Sequence, residues 1–162
     1  MRRRARSLVV ALMMAWASVS SAVDSDIQEA LVISIQDGAH LTVTNTQGAQ
    51  RTARLAGVCA PEIGQPFGRK SKFSLSDLAL LKSVQMTWRA KEVAGDRSVT
   101  VTASGQDLAH LQLQRGMVAL DASTVSQLEP AVQAAYTAAQ AMARKQRLGL
   151  WGLGATAPCT QP

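Results

Sequence analysis

The sequence predicts a mainly β domain with α-helices, an α+β fold built on a five-stranded barrel. Three observations carry that expectation. Apolar residues alternate at period two in five short stretches, their spacing becomes helical at 69–81 and again after residue 107, and turn residues separate the segments. Five short strands with a helix between the third and fourth are what a small barrel needs to close.

Residues 30–35 (Ala-Leu-Val-Ile-Ser-Ile) read as the first strand, and Asp37-Gly38 is a turn dipeptide leading into the alternating stretch 41–44. Gly48 ends that strand and residues 51–55 return as the third. A loop follows, marked by Pro61, Gly64, Pro66 and Gly68. From 69 to 81, Leu75, Leu78 and Leu81 recur every three residues, and Phe73 and Leu80 lie seven apart, which fits a helix. Stretches 84–88 and 98–103 alternate as two more strands. Asp107 and Leu108 open a short helix closed by Gly116, and Pro130 suits the first turn of a last helix. Val132, Tyr136, Ala139 and Ala143 line one face of it, and Arg144, Lys145 and Arg147 favour its C-terminal end.

The chain of 162 residues has length for one domain. Its formal charge of +6 comes mostly from Arg2, Arg3, Arg4 and Arg6. These precede an apolar run at 8–16 and then Ser20-Ser21-Ala22, with small residues at the two positions a signal peptidase reads. The expected organisation is a signal peptide at 1–22, a domain at 23–152 and a C-terminal tail at 153–162. Without residues 1–22 there remain 13 basic and 11 acidic side chains, a charge of +2. The apolar run is too short for a membrane span, which needs about 20 residues, and no Cys stands at the cleavage junction for a lipid anchor. A soluble, exported, monomeric domain, periplasmic or secreted, is expected. A nearly balanced charge and 47% hydrophobic residues argue against a disordered tail or a highly basic nucleic-acid coat.

Several fragments together resemble the staphylococcal nuclease-like (thermonuclease) domains: Ile35-Gln36-Asp37-Gly38, Arg54-Leu55-Ala56-Gly57-Val58, Ala60-Pro61-Glu62, Gln65-Pro66-Phe67-Gly68, Gly105-Gln106-Asp107-Leu108 and Gly149-Leu150-Trp151. They occur in order from about residue 30 to 152. The resemblance implies an OB-fold barrel with three helices and phosphodiester cleavage with one Ca²⁺, held largely by two aspartates and a threonine carbonyl. Calcium is a hard cation that takes six to eight oxygen ligands. A glutamate would activate the attacking water, and two arginines would stabilise transition-state charge.

Carried over residue by residue, the resemblance makes Arg54, Glu62 and Arg97 the candidate catalytic residues. Both carboxylate ligands of calcium are replaced, by Ala39 and by Cys59, so no metal or cofactor is expected. The second arginine has two registers. Ungapped counting puts Asp96 on its position and makes Val99 and Val101 the inward pair, while a one-residue slip puts Arg97 there. His40 reads as a turn residue or, with Cys59, as part of a softer metal site. Trp88 and Trp151 read as packing residues, so an aromatic platform for single strands is not evident. Arg69, Lys70 and Lys72 read as a solvated helix start.

Cys59 and Cys159 are the only cysteines. In an exported protein they form either a bridge, which would tie the tail across the family's calcium position, or a buried thiol and a loose tail. Three functions fit: a catalytically degenerate module that binds nucleic acid, a phosphate-containing ligand or a protein partner; a working nuclease with an altered metal site; and a purely structural domain. The missing ligands favour the first.

Overall fold

The computed structural model describes residues 27–88, 98–152 and 158–160. The 1–22 segment, Asp96, Arg97 and most of the 153–162 tail lie outside them. In chain order the strands are β1 (Ile27–Ile35), β2 (His40–Thr44), β3 (Gln50–Leu55), β4 (Val58–Cys59), β5 (Ser83–Trp88), β6 (Ser98–Ala103), β7 (Gln106–Asp107) and β8 (Ala119–Leu120). The helices are α1 (Gly68–Ala79), α2 (Leu108–Gln114), α3 (Ala122–Val125) and α4 (Pro130–Lys145). Short 3₁₀ turns cover Gly149–Gly152 and Pro158–Thr160.

Five strands close the barrel. β2 joins β1 to β3 in antiparallel pairing, β5 pairs with the other edge of β1, and β6 pairs with β5. The circle closes where β3 and β6 run parallel, Arg54 opposite Ser98 and Leu55 opposite Val99. Alternation then sends Leu41, Leu55, Val84, Met86, Val99 and Val101 inside, all essentially fully buried. Each such side chain contributes about 1.5–3 kcal/mol through burial. Val99 and Val101 are thus the inward pair of the ungapped register. The Asp37-Gly38 hairpin and the strand order match the sequence reading, as does the start of α4 at Pro130.

Several elements differ. β4 and β8 form a two-residue ladder outside the barrel, with Val58 opposite Leu120 and Cys59 opposite Ala119. Such short pieces leave no periodic trace. α3 is a single turn started by Asp121, whose side chain accepts from the Ser123 N–H. α1 stops at Ala79, short of the expected Leu81. The Leu81 N–H bonds the Val32 carbonyl and the Val32 N–H bonds the Lys82 carbonyl, so joining the sheet takes priority over continuing the helix. Leu81 adopts φ 58° and is 72% exposed. The Lys82 ammonium donates to the orphan carbonyls of Asp77 and Leu78.

The buried face of α1 is also unlike the leucine stripe. Leu75 and Ala79 are buried, but Phe73 is 65% exposed and two serines take the inward positions. Ser71 Oγ donates to the Met117 carbonyl at 2.6 Å and Ser74 Oγ to Gln112 Oε1 at 2.6 Å. Gln112, fully buried on α2, donates in turn to the carbonyls of Gly38 (3.0 Å) and Ser71 (3.1 Å). One amide therefore ties the 37–40 turn to both helices. Gly38 fits there because it has no side chain: a Cβ would stand 2.8 Å from Ser71 Cβ. On α4, Tyr136, Ala139 and Ala143 are buried, and the Tyr136 hydroxyl donates to Asp107, the residue that caps α2. Trp151 is half-buried beneath the Arg144 guanidinium at 4.2 Å.

Candidate functional site

The residues of the Asp37-Gly38-Ala39-His40 turn serve the turn itself. Asp37 Oδ1 accepts from the backbone N–H groups of Ala39 (2.7 Å) and His40 (2.9 Å), and the carboxylate meets His40 Nδ1 at 2.8 Å. Burial works to raise the Asp37 pKa, but the His40 ring and the two backbone donors outweigh it and hold the carboxyl below its ordinary value. Ala39 points its methyl into the core with no exposed surface. Its carbonyl accepts from the Leu55 N–H at 2.8 Å, fastening the turn to β3.

Arg54 and Glu62 line one cleft of about 390 Å³, together with Gln65, Asp121, Pro158 and the two cysteines. β3 presents Arg54 outward because Ala53 and Leu55 on either side of it face the core, and His40 is its cross-strand neighbour. The Arg54 guanidinium donates to Asp121 Oδ2 at 2.7 Å. Asp121 is itself buried, and its other oxygen accepts from the Ser123 N–H (2.9 Å) and hydroxyl (2.5 Å). Burial raises the Asp121 pKa, and these donors with the Arg54 charge more than reverse that, leaving the carboxyl below its ordinary value. Glu62 is exposed, in a turn where its backbone N–H donates to Gln65 Oε1 and its carbonyl accepts from the Gln65 N–H.

The sequence placed Arg54 and Glu62 but not Asp121. An aspartate two residues before a serine is a helix-cap signal. Nothing local shows that it would pair with an arginine 67 residues away. The third candidate, Arg97, and its competitor Asp96 lie outside the described residues.

Cys59 and Cys159 are joined in a disulfide with their Cα atoms 5.9 Å apart. Of the two arrangements open from sequence, the bridge is the one formed. It fixes the Pro158–Thr160 turn beside β8 and makes Pro158 and Cys159 part of the cleft wall.

These residues do not fit a calcium ion of the family's kind. Position 39 offers a buried methyl, and position 59 a sulfur already bonded to another sulfur, where a hard cation needs oxygen. The softer pairing of His40 with Cys59 is not formed either, since Cys59 is in the disulfide and the His40 ring lies against Asp37. Among the described residues, no group of three or more His, Cys, Asp and Glu side chains is placed to hold a metal. The cleft is one cation paired with a buried carboxylate, a second carboxylate at its mouth, and a covalently fixed tail.

The model of the family "Staphylococcal nuclease homologue" matches residues 52–152, which include β3 from Thr52 onward, the cleft residues on β4 and its loop, and helices α1 to α4. The chain is also 29% identical over 134 residues to a protein of Haemophilus influenzae named an uncharacterized endonuclease, covering 83% of this chain and 72% of that protein. With a closed five-stranded barrel, the expected α+β arrangement and a family match over most of its length, this chain belongs to the staphylococcal nuclease homologue family.

Proposed function

We propose that this chain is an exported nuclease-fold module that does not cleave phosphodiesters with calcium and that binds a phosphate-bearing ligand, nucleic acid foremost, at the Arg54 cleft. The observation that carries the reading is the state of positions 39 and 59: a methyl buried in the core and a disulfide sulfur. Neither supplies an oxygen, so no calcium ion is held there to offset the negative charge that builds on a phosphodiester in its transition state. Arg54 remains on the cleft wall and can donate to an anion, at the expense of its bond to Asp121. Export is supported by the basic and apolar N-terminal segment and by the disulfide, which suits an oxidising compartment.

A second reading, cleavage with an altered metal site, is favoured by two observations. Arg54 and Glu62 share a cleft, and the Haemophilus relative carries an endonuclease name. A single assay separates the two. Purified protein is incubated with plasmid and with denatured DNA in Ca²⁺, Mn²⁺, Zn²⁺ or chelator. The expected result is no cleavage in any of them, with salt-sensitive retention on immobilised DNA. Chelator-sensitive nicking that the Glu62→Gln variant abolishes would establish the second reading, and would separate it from contaminating nuclease.

A further inference from the structure

We infer that the Cys59–Cys159 disulfide is a redox latch: oxidised, it holds the Pro158–Thr160 turn against the Arg54 cleft, and reduced by a dithiol it frees that turn and opens the cleft to a phosphodiester. The ligand class rests on the function proposed above; the latch itself rests on geometry. Cys59 lies on β4, between Arg54 and Glu62 in the chain, and is part of the same cleft wall. Pro158 and Cys159 complete that wall from a point 100 residues along the chain. Both cysteines are half-buried at the wall of a cleft and not sealed in the core, which is where a dithiol would have to reach them. Arg54, the cation of the cleft, is held with its side chain only 22% exposed.

The chemistry balances with a dithiol as co-reactant. One of its thiolates bonds to a sulfur of the bridge, the Cys59–Cys159 bond breaks, and the departing cysteine thiolate takes up a proton. The second thiol of the reductant then displaces the first cysteine. Two electrons and two protons pass to the protein, which leaves with two thiols while the reductant becomes a disulfide. Cys59 stays on its strand, because the β4–β8 ladder is made by backbone bonds. Cys159 loses its covalent tie.

The experiment compares the oxidised full chain with the chain reduced by dithiothreitol and freed of reductant under nitrogen. Arginine labelling by phenylglyoxal, read by mass spectrometry, reports the exposure of Arg54 without any ligand, and exposed Arg51 on the same strand is the internal reference. Reduction is expected to raise the Arg54 labelling rate at least fivefold relative to Arg51. It is also expected to lower the Kd for a fluorescein-labelled single-stranded oligodeoxynucleotide at least tenfold, and reoxidation should reverse both. Cys159→Ser should behave as the reduced protein does, whatever the redox state. Equal labelling of Arg54 in the two states overturns the latch. So does loss of the circular dichroism signal on reduction, since a latch must open a folded domain. Faster Arg54 labelling without oligonucleotide binding upholds the latch and refutes the phosphate ligand.

Discussion

Asp121 caps α3 with one carboxylate oxygen and holds Arg54 with the other, so a single side chain sets both a local helix start and the direction of the cleft's cation. Asp121→Asn keeps the cap, because asparagine is as good an N-cap, but removes the charge from the pair. It is expected to lower stability by about 1.5–3 kcal/mol at pH 7, the range for hydrogen bonds to charged groups. Asp121 and Asp37 both have folded-state pKa values below the ordinary carboxylate value. Their contribution is therefore present above about pH 3.9 and is lost as pH falls through the depressed folded values. Urea denaturation at pH 7, 5 and 3 should show the gap between parent and Asp121→Asn narrowing towards pH 3. A gap independent of pH would mean that Asp121 acts through shape and not charge. The same substitution releases Arg54 from its carboxylate partner, and retention on immobilised DNA should rise. At positions 39 and 59, Ala39→Asp with Cys59→Asp and Ala60→Thr would return oxygen ligands to the turn and the loop. This variant gives up the disulfide and buries a charge at 39, so it should melt lower than the parent in chelator. A rise in its melting temperature with Ca²⁺, corresponding to about 2.7 kcal/mol at a hundredfold excess over Kd, would show that the scaffold around the site is intact.

Between elements, the 37–40 turn is tied to α1 and α2 through Gln112, in addition to the bonds Asp37 makes within the turn. The Gln112 amide joins the Gly38 carbonyl, the Ser71 carbonyl and the Ser74 hydroxyl with no exposed surface of its own. A leucine there would match the volume but leave the Gly38 carbonyl without that donor. Gln112→Leu is expected to cost about 2–4 kcal/mol in urea denaturation, with the largest increase in amide hydrogen exchange at 37–40. A loss under 1 kcal/mol would mean that water or a shifted backbone replaces the amide. The same network explains why the buried face of α1 departs from the leucine spacing. Serines occupy the inward positions because a polar partner on α2 satisfies them, and Phe73 is left on the surface.

For the molecule as a whole, the disulfide ties together segments far apart in the chain. It closes 100 residues of chain and joins the tail to a strand that otherwise pairs only through a two-residue ladder. In the chain-entropy model a loop of that length is worth about 4.7 kcal/mol at most. Reduction, or Cys59→Ser with Cys159→Ser, should lower the melting temperature by on the order of 10 °C while the barrel still folds. A shift below about 2 °C would show that the bridge leaves the unfolded ensemble nearly unconstrained.

What the sequence by itself determined is what repeats locally. The five barrel strands and three of the helices leave a period of 2 or 3.6, and the Asp-Gly turn, Pro130 and Gly116 punctuate them, so their order was legible and with it the barrel. The family motif then put Arg54, Cys59 and Glu62 near one another, because they lie within nine residues of chain. The tertiary structure decided the rest. That Arg54 is held by Asp121, that Cys59 is bonded to Cys159, and that β3 closes on β6 are pairings across 67, 100 and 44 residues. Such contacts impose no spacing on either partner's neighbours. They arise only when the closed barrel brings the ends of distant elements to one place, so it is the packing, not the pattern of either segment, that selects them.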